Sequence, residues 1–371
     1  AEAALLPERA RDAVARADAR AHHAALSVGA RDARARRVDA AAVGVAREAV
    51  AARVLEARRH ADAAIADGAR GAEAVAVVHH AVAVVVERVA HLGGRGVHRL
   101  ARRAARDALR AARVVPGFMQ AISVHLIEMS STLSAEQRAA LDGFPIPVTW
   151  GQNLAGFAAP AIIIGNEFLD AWPVEQWVKT TAGWVPRVVG LDAAGALSFM
   201  PAPGAPPNPE FDAQHANAPV GAIFETQRPA RFAEALRALS RSGPIAALII
   251  DYGHVTAVSG DTLQAVRGHA YEDPLTSPGE ADLSAQISFF ELASALHAAG
   301  LGIDGPVTQA EFLGALGVIE RAARLMHANP AKAQEIEAGV ARLISPSGMG
   351  TRFKVIGIRS AELPPLPGFG T

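Results

Sequence analysis

Polar side chains follow three short apolar runs of the sequence, at the points where strands of a sheet would end. The runs are 122–127, 161–164 and 246–250. The polar residues that follow them are Glu128 after the first run, Asn166, Glu167 and Asp170 after the second, and Asp251, Tyr252 and His254 after the third. Because ligands of open parallel sheets bind beyond the carboxyl ends of the strands, we expect a ligand site at these positions.

The residue types indicate what each position could do. A carboxylate at a strand tip, such as Glu128, can accept hydrogen bonds from both ribose hydroxyls of a nucleoside, although a solvated turn residue would look the same. Three polar side chains directly after an apolar run favour a cleft, because such groups are costly near a core unless they are paired. Asp251 is followed by Tyr252 and Gly253, so a purely structural turn fits that position equally well.

The elements that position these residues alternate along the chain from about Val115. The sequence predicts strands at 122–127, 145–150, 161–164, 246–250 and 353–358. It predicts helices from about 130 to 141 and at 232–241, 286–299 and 309–327. Continuous apolar runs such as 161–164 are typical of strands buried on both faces of a parallel sheet. The alternation predicts an α/β fold with a mostly parallel sheet.

Charge and composition divide the 371 residues into two parts. The chain contains no cysteine, which excludes disulfides, thiolate metal sites and a cysteine nucleophile. The net charge of -1 is the sum of opposite values: residues 1–114 carry 21 Arg and 13 Asp or Glu, so the remainder is acidic. A basic first part can indicate a nucleic-acid-binding arm, but aromatic stacking residues are missing there and acids are interleaved with the arginines. We therefore expect no nucleic-acid partner.

The first 114 residues use a reduced set of amino acids. Lys, Asn, Gln, Thr, Met, Phe, Tyr and Trp are all missing before Val115. A helical or disordered extension is one interpretation, because few large apolar residues are available for a core. We favour another: residues 1–106 are an out-of-frame translation of a GC-rich gene. The pairs His22-His23 and His79-His80 do not share a helix face and lack a carboxylate at a ligand spacing, so no metal site is expected.

Several long stretches after residue 107 resemble the MidA-type family of S-adenosylmethionine-dependent methyltransferases. They include VHLIEMS (124–130), GNEFLDAWPVEQW (165–177), LIIDYGH (248–254) and MGTRFKVIGI (349–358). The resemblance spans 107–369 and implies a class I methyltransferase fold, a Rossmann-like, mostly parallel sheet. It also implies insertions at about 175–225 and 260–330.

The resemblance also implies roles for residues of the chain. Glu128 would hold the ribose of S-adenosylmethionine, with Gln152 and Asn153 near the adenine. Asn166, Glu167 and Asp170 would orient and deprotonate the acceptor nitrogen as catalytic residues. Asp251, Tyr252 and His254 would bind the substrate. The substrate would be a protein, methylated on an arginine nitrogen, and the function would support assembly of a respiratory complex.

The chain departs from the family pattern before residue 107. A first strand and a glycine-rich turn of the form Glu-Leu-Gly-Pro-Gly-Arg-Gly should precede the helix that begins near Asp107, and the chain has VHRLARRAAR (97–106) there. Glycines at that turn allow close approach of the backbone to the cofactor. We therefore expect a domain at 107–371 that lacks its first strand and binds the cofactor poorly.

Two other functions compete with methyl transfer. A non-catalytic assembly or interaction factor would retain the substrate-binding insertions and tolerate the missing glycine turn. A dinucleotide dehydrogenase is disfavoured, because no GxGxxG follows a strand. Charged residues interrupt the apolar run at 73–90 and the N-terminal segment, so neither a membrane span nor a signal peptide is expected. We expect a cytoplasmic protein.

Overall fold

The computed structural model describes residues 81–87, 118–143, 146–154, 157–256, 260–268 and 270–370. The chain divides into two compact units, and every described residue belongs to the second of them, Val75–Thr371. The sequence predicted an atypical segment at 1–106. All of that segment except 81–87 lies outside the described residues.

Fifteen strands and eight helices are defined within the described residues. The strands are β1 Ala81–Glu87, β2 Ile122–Ile127, β3 Val148–Gly151, β4 Ala161–Asn166, β5 Glu175–Thr180, β6 Gly183–Leu191, β7 Leu197–Pro201, β8 Ile223–Thr226, β9 Ile245–His254, β10 Gln264–Arg267, β11 Ala270–Glu272, β12 Asp282–Ser284, β13 Ile287–Ser288, β14 Gly302–Thr308 and β15 Phe353–Arg359. The helices are α1 Phe118–Ala121, α2 Ser131–Leu141, α3 Pro209–Gln214, α4 Ala230–Ser240, α5 Phe289–Ala298, α6 Gln309–Ala315, α7 Val318–Ala328 and α8 Ala333–Ile344.

The main sheet has the strand order β14-β15-β9-β4-β1-β2-β3, with β13 paired to β9. The five strands from β9 to β3 are parallel, and β15 is antiparallel to both of its neighbours. Ile163 of β4 and Ile249 of β9 are fully buried at its centre, as the continuous apolar runs predicted. The parallel strands place their carboxyl ends, with the polar residues that follow, along one edge.

Strand β1 corrects one expectation from the sequence. We expected the sheet to lack its first strand, but Ala81–Glu87 lies between β4 and β2 and pairs with both in parallel. The segment AVAVVVE has the short β-branched run typical of a central parallel strand. Our sequence interpretation underrated this run because charged and histidine residues flank it. The glycine-bearing segment 91–96 follows β1 in the chain and lies outside the described residues.

Helices α4 and α5 pack against β9 and form one face of the core. Their buried side chains are Phe232, Ala233, Leu236 and Leu239 in α4 and Phe289, Leu292 and Leu296 in α5. These positions recur at intervals of three and four residues, which gives each helix one apolar face. The predicted helix at 309–327 differs, since Gly317 has a φ of 76° and separates α6 from α7. A left-handed residue cannot continue an α-helix.

Two smaller antiparallel sheets interrupt the alternation. One has the order β7-β6-β5-β8 and comes from residues 175–226, and the other has the order β11-β10-β12. The insertion expected at 260–330 is shorter in the structure, because α5 packs on the core and β14 pairs with β15 of the main sheet. Within the described part of the chain, no helix has the length and apolar character needed to cross a membrane.

Candidate active site

A cavity of about 260 Å³ opens at the carboxyl edge of the main sheet. Its lining includes Glu128 after β2, Gln152 and Asn153 after β3, and Phe168 after β4. The register explains the first three, because Ile127 pairs with Gly151 at the end of the two strands. The three predicted cofactor-binding residues therefore lie around one cavity. Its apolar walls come from Ile127, Leu154, Phe168, Trp172 and Phe232.

Glu128 is buried and hydrogen-bonded. Its Oε1 accepts a hydrogen bond from the Ser130 backbone N–H at 2.8 Å, and its Oε2 accepts one from Gln137 Nε2 at 3.3 Å. Ser130 also caps α2 by accepting the Leu133 N–H, so the start of the helix and the carboxylate are fixed together. A buried carboxylate needs such donors, and these two hold the group at the rim of the cavity.

Our sequence interpretation missed Gln137 and the aromatic wall. Gln137 is only 3% exposed, and its Oε1 accepts a hydrogen bond from Trp150 Nε1 at 3.0 Å. A signal for it was present: Leu133, Gln137 and Leu141 are spaced by four residues and share the buried face of α2. A polar residue in the middle of an apolar helix face indicates a buried partner. Phe168 lies between the predicted catalytic residues Glu167 and Asp170, Trp172 follows them, and the two rings contact each other edge to face.

The loop after β4 holds Glu167 in a left-handed conformation. Its φ is 48°, and such a conformation costs a residue with a side chain about 1–2 kcal/mol. The Glu167 N–H donates to the Ile250 carbonyl at 2.9 Å, which fixes the residue beside β9. Burial raises the pKa of the Glu167 carboxyl, while a long hydrogen bond from Asn166 and the charge of Arg342 act in the opposite direction.

Asp251 lies beneath this loop and is fully buried. Strand β9 continues beyond the end of β4, where Asn166 pairs with Ile250, so Asp251 faces the backbone that leaves β4. Its Oδ2 accepts the N–H groups of Leu169 and Asp170 at 2.9 and 3.1 Å, and its Oδ1 accepts that of Tyr252 at 2.8 Å. Burial and the neighbouring charge of Asp170 raise the pKa of Asp251 well above its usual range. The sequence predicted a substrate-binding residue here, and the contacts observed are with the backbone.

The remaining predicted residues lie around this loop. Asp170 is 4% exposed, and its carbonyl accepts the Ala285 N–H at 2.9 Å. The Tyr252 hydroxyl accepts a hydrogen bond from Gln264 at 3.3 Å, and burial raises the pKa of this phenol. His254 Nδ1 lies 2.6 Å from the Thr256 carbonyl. Among the residues that the structure describes, no three His, Asp or Glu side chains are placed to hold a metal ion.

The strand order and the edge that carries these residues define the class of the protein. A sheet of order β3-β2-β1-β4-β9-β15-β14 with only β15 reversed, and with a cavity beyond β2 and β3, has the class I methyltransferase fold. The predicted fold class is thus confirmed.

The chain belongs to the family described as "Putative S-adenosyl-L-methionine-dependent methyltransferase", which matches residues 102–307. This match confirms the resemblance drawn from the sequence, and S-adenosylmethionine is the cofactor of the class. The residue roles within the site stay predictions.

Comparisons with individual proteins agree with the family. The chain is 31% identical over 265 residues to the Mus musculus protein named Protein arginine methyltransferase NDUFAF7, mitochondrial, a match that covers 63% of this chain and 58% of that protein. The Homo sapiens protein of the same name is 30% identical over 264 residues, 62% of this chain and 57% of its own length. The chain therefore spans less than two thirds of these relatives.

Two solved structures from Burkholderia thailandensis share the fold. One, bound to S-adenosyl-homocysteine, has a TM-score of 0.63 and 27% identity and covers 78% of this chain and 74% of that chain. The other has a TM-score of 0.64 and 26% identity, with coverages of 81% and 79%.

The predicted cytoplasmic localisation is wrong. The relatives from mouse, human and Caenorhabditis elegans carry the word mitochondrial in their names. The expectation rested on the missing signal peptide and membrane span, and neither feature distinguishes the cytoplasm from an organelle.

Proposed function

We propose that the protein transfers a methyl group from S-adenosylmethionine to an arginine nitrogen of a protein substrate. The observation that carries this proposal is the cavity that gathers Glu128, Gln152 and Asn153 at the ends of β2 and β3 and borders the loop after β4. The names of the mouse and human relatives support arginine as the acceptor.

The residues around the cavity fit the cofactor. A carboxylate accepts hydrogen bonds at two oxygens with about four lone-pair positions. Glu128 lines the cavity, where its carboxylate can accept hydrogen bonds from ribose hydroxyls. The apolar side chains of Leu154 and Phe168 suit the flat faces of an adenine. When bound, the cofactor supplies an electrophilic methyl group on a sulfonium.

The chain's own residues would orient the acceptor nitrogen and receive its proton. As the methyl group passes from sulfur to nitrogen, the S–C bond breaks, the N–C bond forms and one proton leaves the nitrogen. Glu167 is suited to hold the guanidinium and accept that proton, because a half-buried carboxylate with a raised pKa is a better base than a solvated one. Positioning would supply the larger part of the acceleration.

Two finer proposals accompany this one. The substrate we propose is a subunit of a respiratory complex, and this rests on the family resemblance alone. We further propose weak binding of S-adenosylmethionine, because the segment HLGGRG (91–96) that follows β1 in the chain lacks the Gly-x-Gly-x-Gly spacing of the family pattern. Calorimetric titration should give a dissociation constant weaker than micromolar, and micromolar binding would contradict the proposed defect.

Radiolabelled methyl transfer to candidate mitochondrial proteins tests the main proposal. We expect label on arginine with the parent chain and about a hundredfold less with Glu167→Ala, the range that a positioned base contributes. Glu234→Ala, at an exposed site on α4, is the matched control and should retain the parent rate. Capture of the same proteins without label would favour the non-catalytic assembly factor.

A further inference from the structure

We propose that Gln137 is a positioning residue that sets the orientation of the Glu128 carboxylate for the cofactor ribose. The inference rests on the proposed function, since it concerns how the same site recognises its cofactor. It adds a side chain on α2 that does not itself line the cavity. The observation behind it is a chain of hydrogen bonds from Trp150 through Gln137 to Glu128.

The chemistry of the three groups fixes the direction of this chain. An indole N–H can only donate, so the amide oxygen of Gln137 must face Trp150 Nε1. The amide nitrogen is then turned toward Glu128 Oε2, where an ionised carboxylate is the natural acceptor. The order of donors and acceptors therefore selects one orientation of the amide.

The surroundings keep the amide in this orientation. Gln137 is 3% exposed and Glu128 is 7% exposed, so water competes little for either group. The Arg138 guanidinium lies 4.1 Å from the Trp150 ring centre, which covers the indole on the solvent side. Ser130 N–H holds Oε1 while Gln137 holds Oε2. The two donors together fix the rotation of the carboxylate plane.

An oriented carboxylate should distinguish a ribose with both hydroxyls from one that lacks a hydroxyl. Loss of Gln137 would free the carboxylate to rotate, so this distinction should weaken more than cofactor binding in general. A merely structural role for Gln137 would instead lower stability and leave the preference for the hydroxyl unchanged. The preference is therefore the quantity to measure.

The experiment compares S-adenosylhomocysteine with its 2′-deoxy and 3′-deoxy analogues by ligand-observed NMR titration, which covers micromolar to millimolar affinities. We expect the parent chain to prefer S-adenosylhomocysteine by about tenfold, the value of a hydrogen bond to a charged group. In Gln137→Met, which is similar in length but apolar, the preference should fall to about threefold or less. Gln214→Met, at an exposed position of α3, should keep the parent preference.

A second variant guards against misfolding. Gln137→Glu keeps an acceptor for Trp150 but turns a second carboxylate toward Glu128, and it should also lose the preference. Combining Glu128→Gln with Gln137→Met should lower the preference no further than Glu128→Gln alone, because both changes act through one group. Thermal unfolding of each variant shows which of them is folded.

The outcomes separate this inference from the proposed function. If the parent binds S-adenosylhomocysteine and a folded Gln137 variant keeps the parent preference, the positioning role is wrong and the function stands. If the parent binds none of the three ligands, both the positioning role of Gln137 and the proposed function are wrong. If the two single changes are additive in the double variant, Gln137 does not act through Glu128 and the inference is overturned.

Discussion

Glu128 and Asp251 are both buried carboxylates near the carboxyl ends of parallel strands, yet their surroundings differ. Glu128 accepts hydrogen bonds from the Ser130 backbone N–H and the Gln137 side chain and lines the cavity. Asp251 is fully buried, takes three backbone N–H groups and is not part of the cavity lining. An acid near the carboxyl end of a strand can therefore serve a ligand or the backbone, and its donors distinguish the two. The following predictions test that distinction.

The largest effect is expected from Asp251→Ala. Three backbone N–H groups would lose their acceptor, and each buried donor left without a partner costs about 1–3 kcal/mol. We expect the free energy of unfolding, measured by urea denaturation, to fall by about 3 kcal/mol.

Asp192→Ala is the matched control for this change. Asp192 also accepts two backbone N–H groups, from Ala194 and Ala196, but in an exposed turn where water can replace it. Its loss should cost about 1 kcal/mol or less. Equal losses of unfolding free energy at the two positions would contradict the conclusion that Asp251 serves the backbone.

A smaller effect, on binding and not on folding, is expected from Glu128→Gln. The amide still accepts a hydrogen bond but loses the charge that strengthens bonds to hydroxyls. We expect calorimetry or NMR titration to show about 30-fold weaker binding of S-adenosylhomocysteine, or about 2 kcal/mol. Asp251→Asn should weaken this binding less than Glu128→Gln. The reverse order would contradict the assignment of the two carboxylates.

Glu167→Gly should stabilise the fold by about 1 kcal/mol, because glycine adopts a positive φ without the cost borne by other residues. Glu167→Gln keeps the backbone cost and should leave stability near the parent value, while both changes should lower methyl transfer about a hundredfold, as for Glu167→Ala. Glu234→Gly in α4 should instead destabilise by about 1 kcal/mol. Denaturant unfolding measures all three, and a destabilised Glu167→Gly would show that the conformation is not strained.

The smallest expected effect is a pH dependence of the unfolding free energy that arises from Asp251. Its pKa in the folded protein is raised above the ordinary 3.8, so the folded state binds more protons than the unfolded state between the two values. The contribution of Asp251 to the unfolding free energy is complete below its pKa in the unfolded chain, and it is lost as pH rises through its pKa in the folded protein. The unfolding free energy of the parent minus that of Asp251→Asn should therefore fall as pH rises. A difference that grows with pH would exclude the raised pKa.

The sequence predicted the strands well where β-branched runs stand alone. The strand at 122–127 was predicted with its observed bounds, and Glu128, Gln152 and Asn153 were expected at one site and lie around one cavity. Local patterns suffice for the strand, because side-chain type fixes both the strand and its end, whereas the shared site of the three polar residues was implied by the family resemblance. Strand β1 was missed because charged and histidine residues flank its short apolar run.

The surroundings of Asp251 could not be predicted in this way. Its partners Leu169 and Asp170 precede it by 82 and 81 residues, and no local pattern shows that β9 continues beyond β4. Gln137 lay within reach of prediction, since its spacing from Leu133 and Leu141 marks the buried face of α2. The sequence interpretation assigned no role to this polar residue on an apolar helix face.

The long separation between Asp251 and the loop it holds bears on synthesis of the chain. Glu128 finds Gln137 only nine residues later, so its hydrogen bonds can form soon after α2 leaves the ribosome. The Leu169 N–H can form its hydrogen bond only after Asp251, 82 positions further on, has been synthesised. At about 5–20 residues per second this takes roughly 4–16 s. During that interval the β5–β8 insertion emerges and can fold first. The cofactor side of the site is thus expected to form early in translation, and the loop that carries Glu167 only after β9 has joined the sheet.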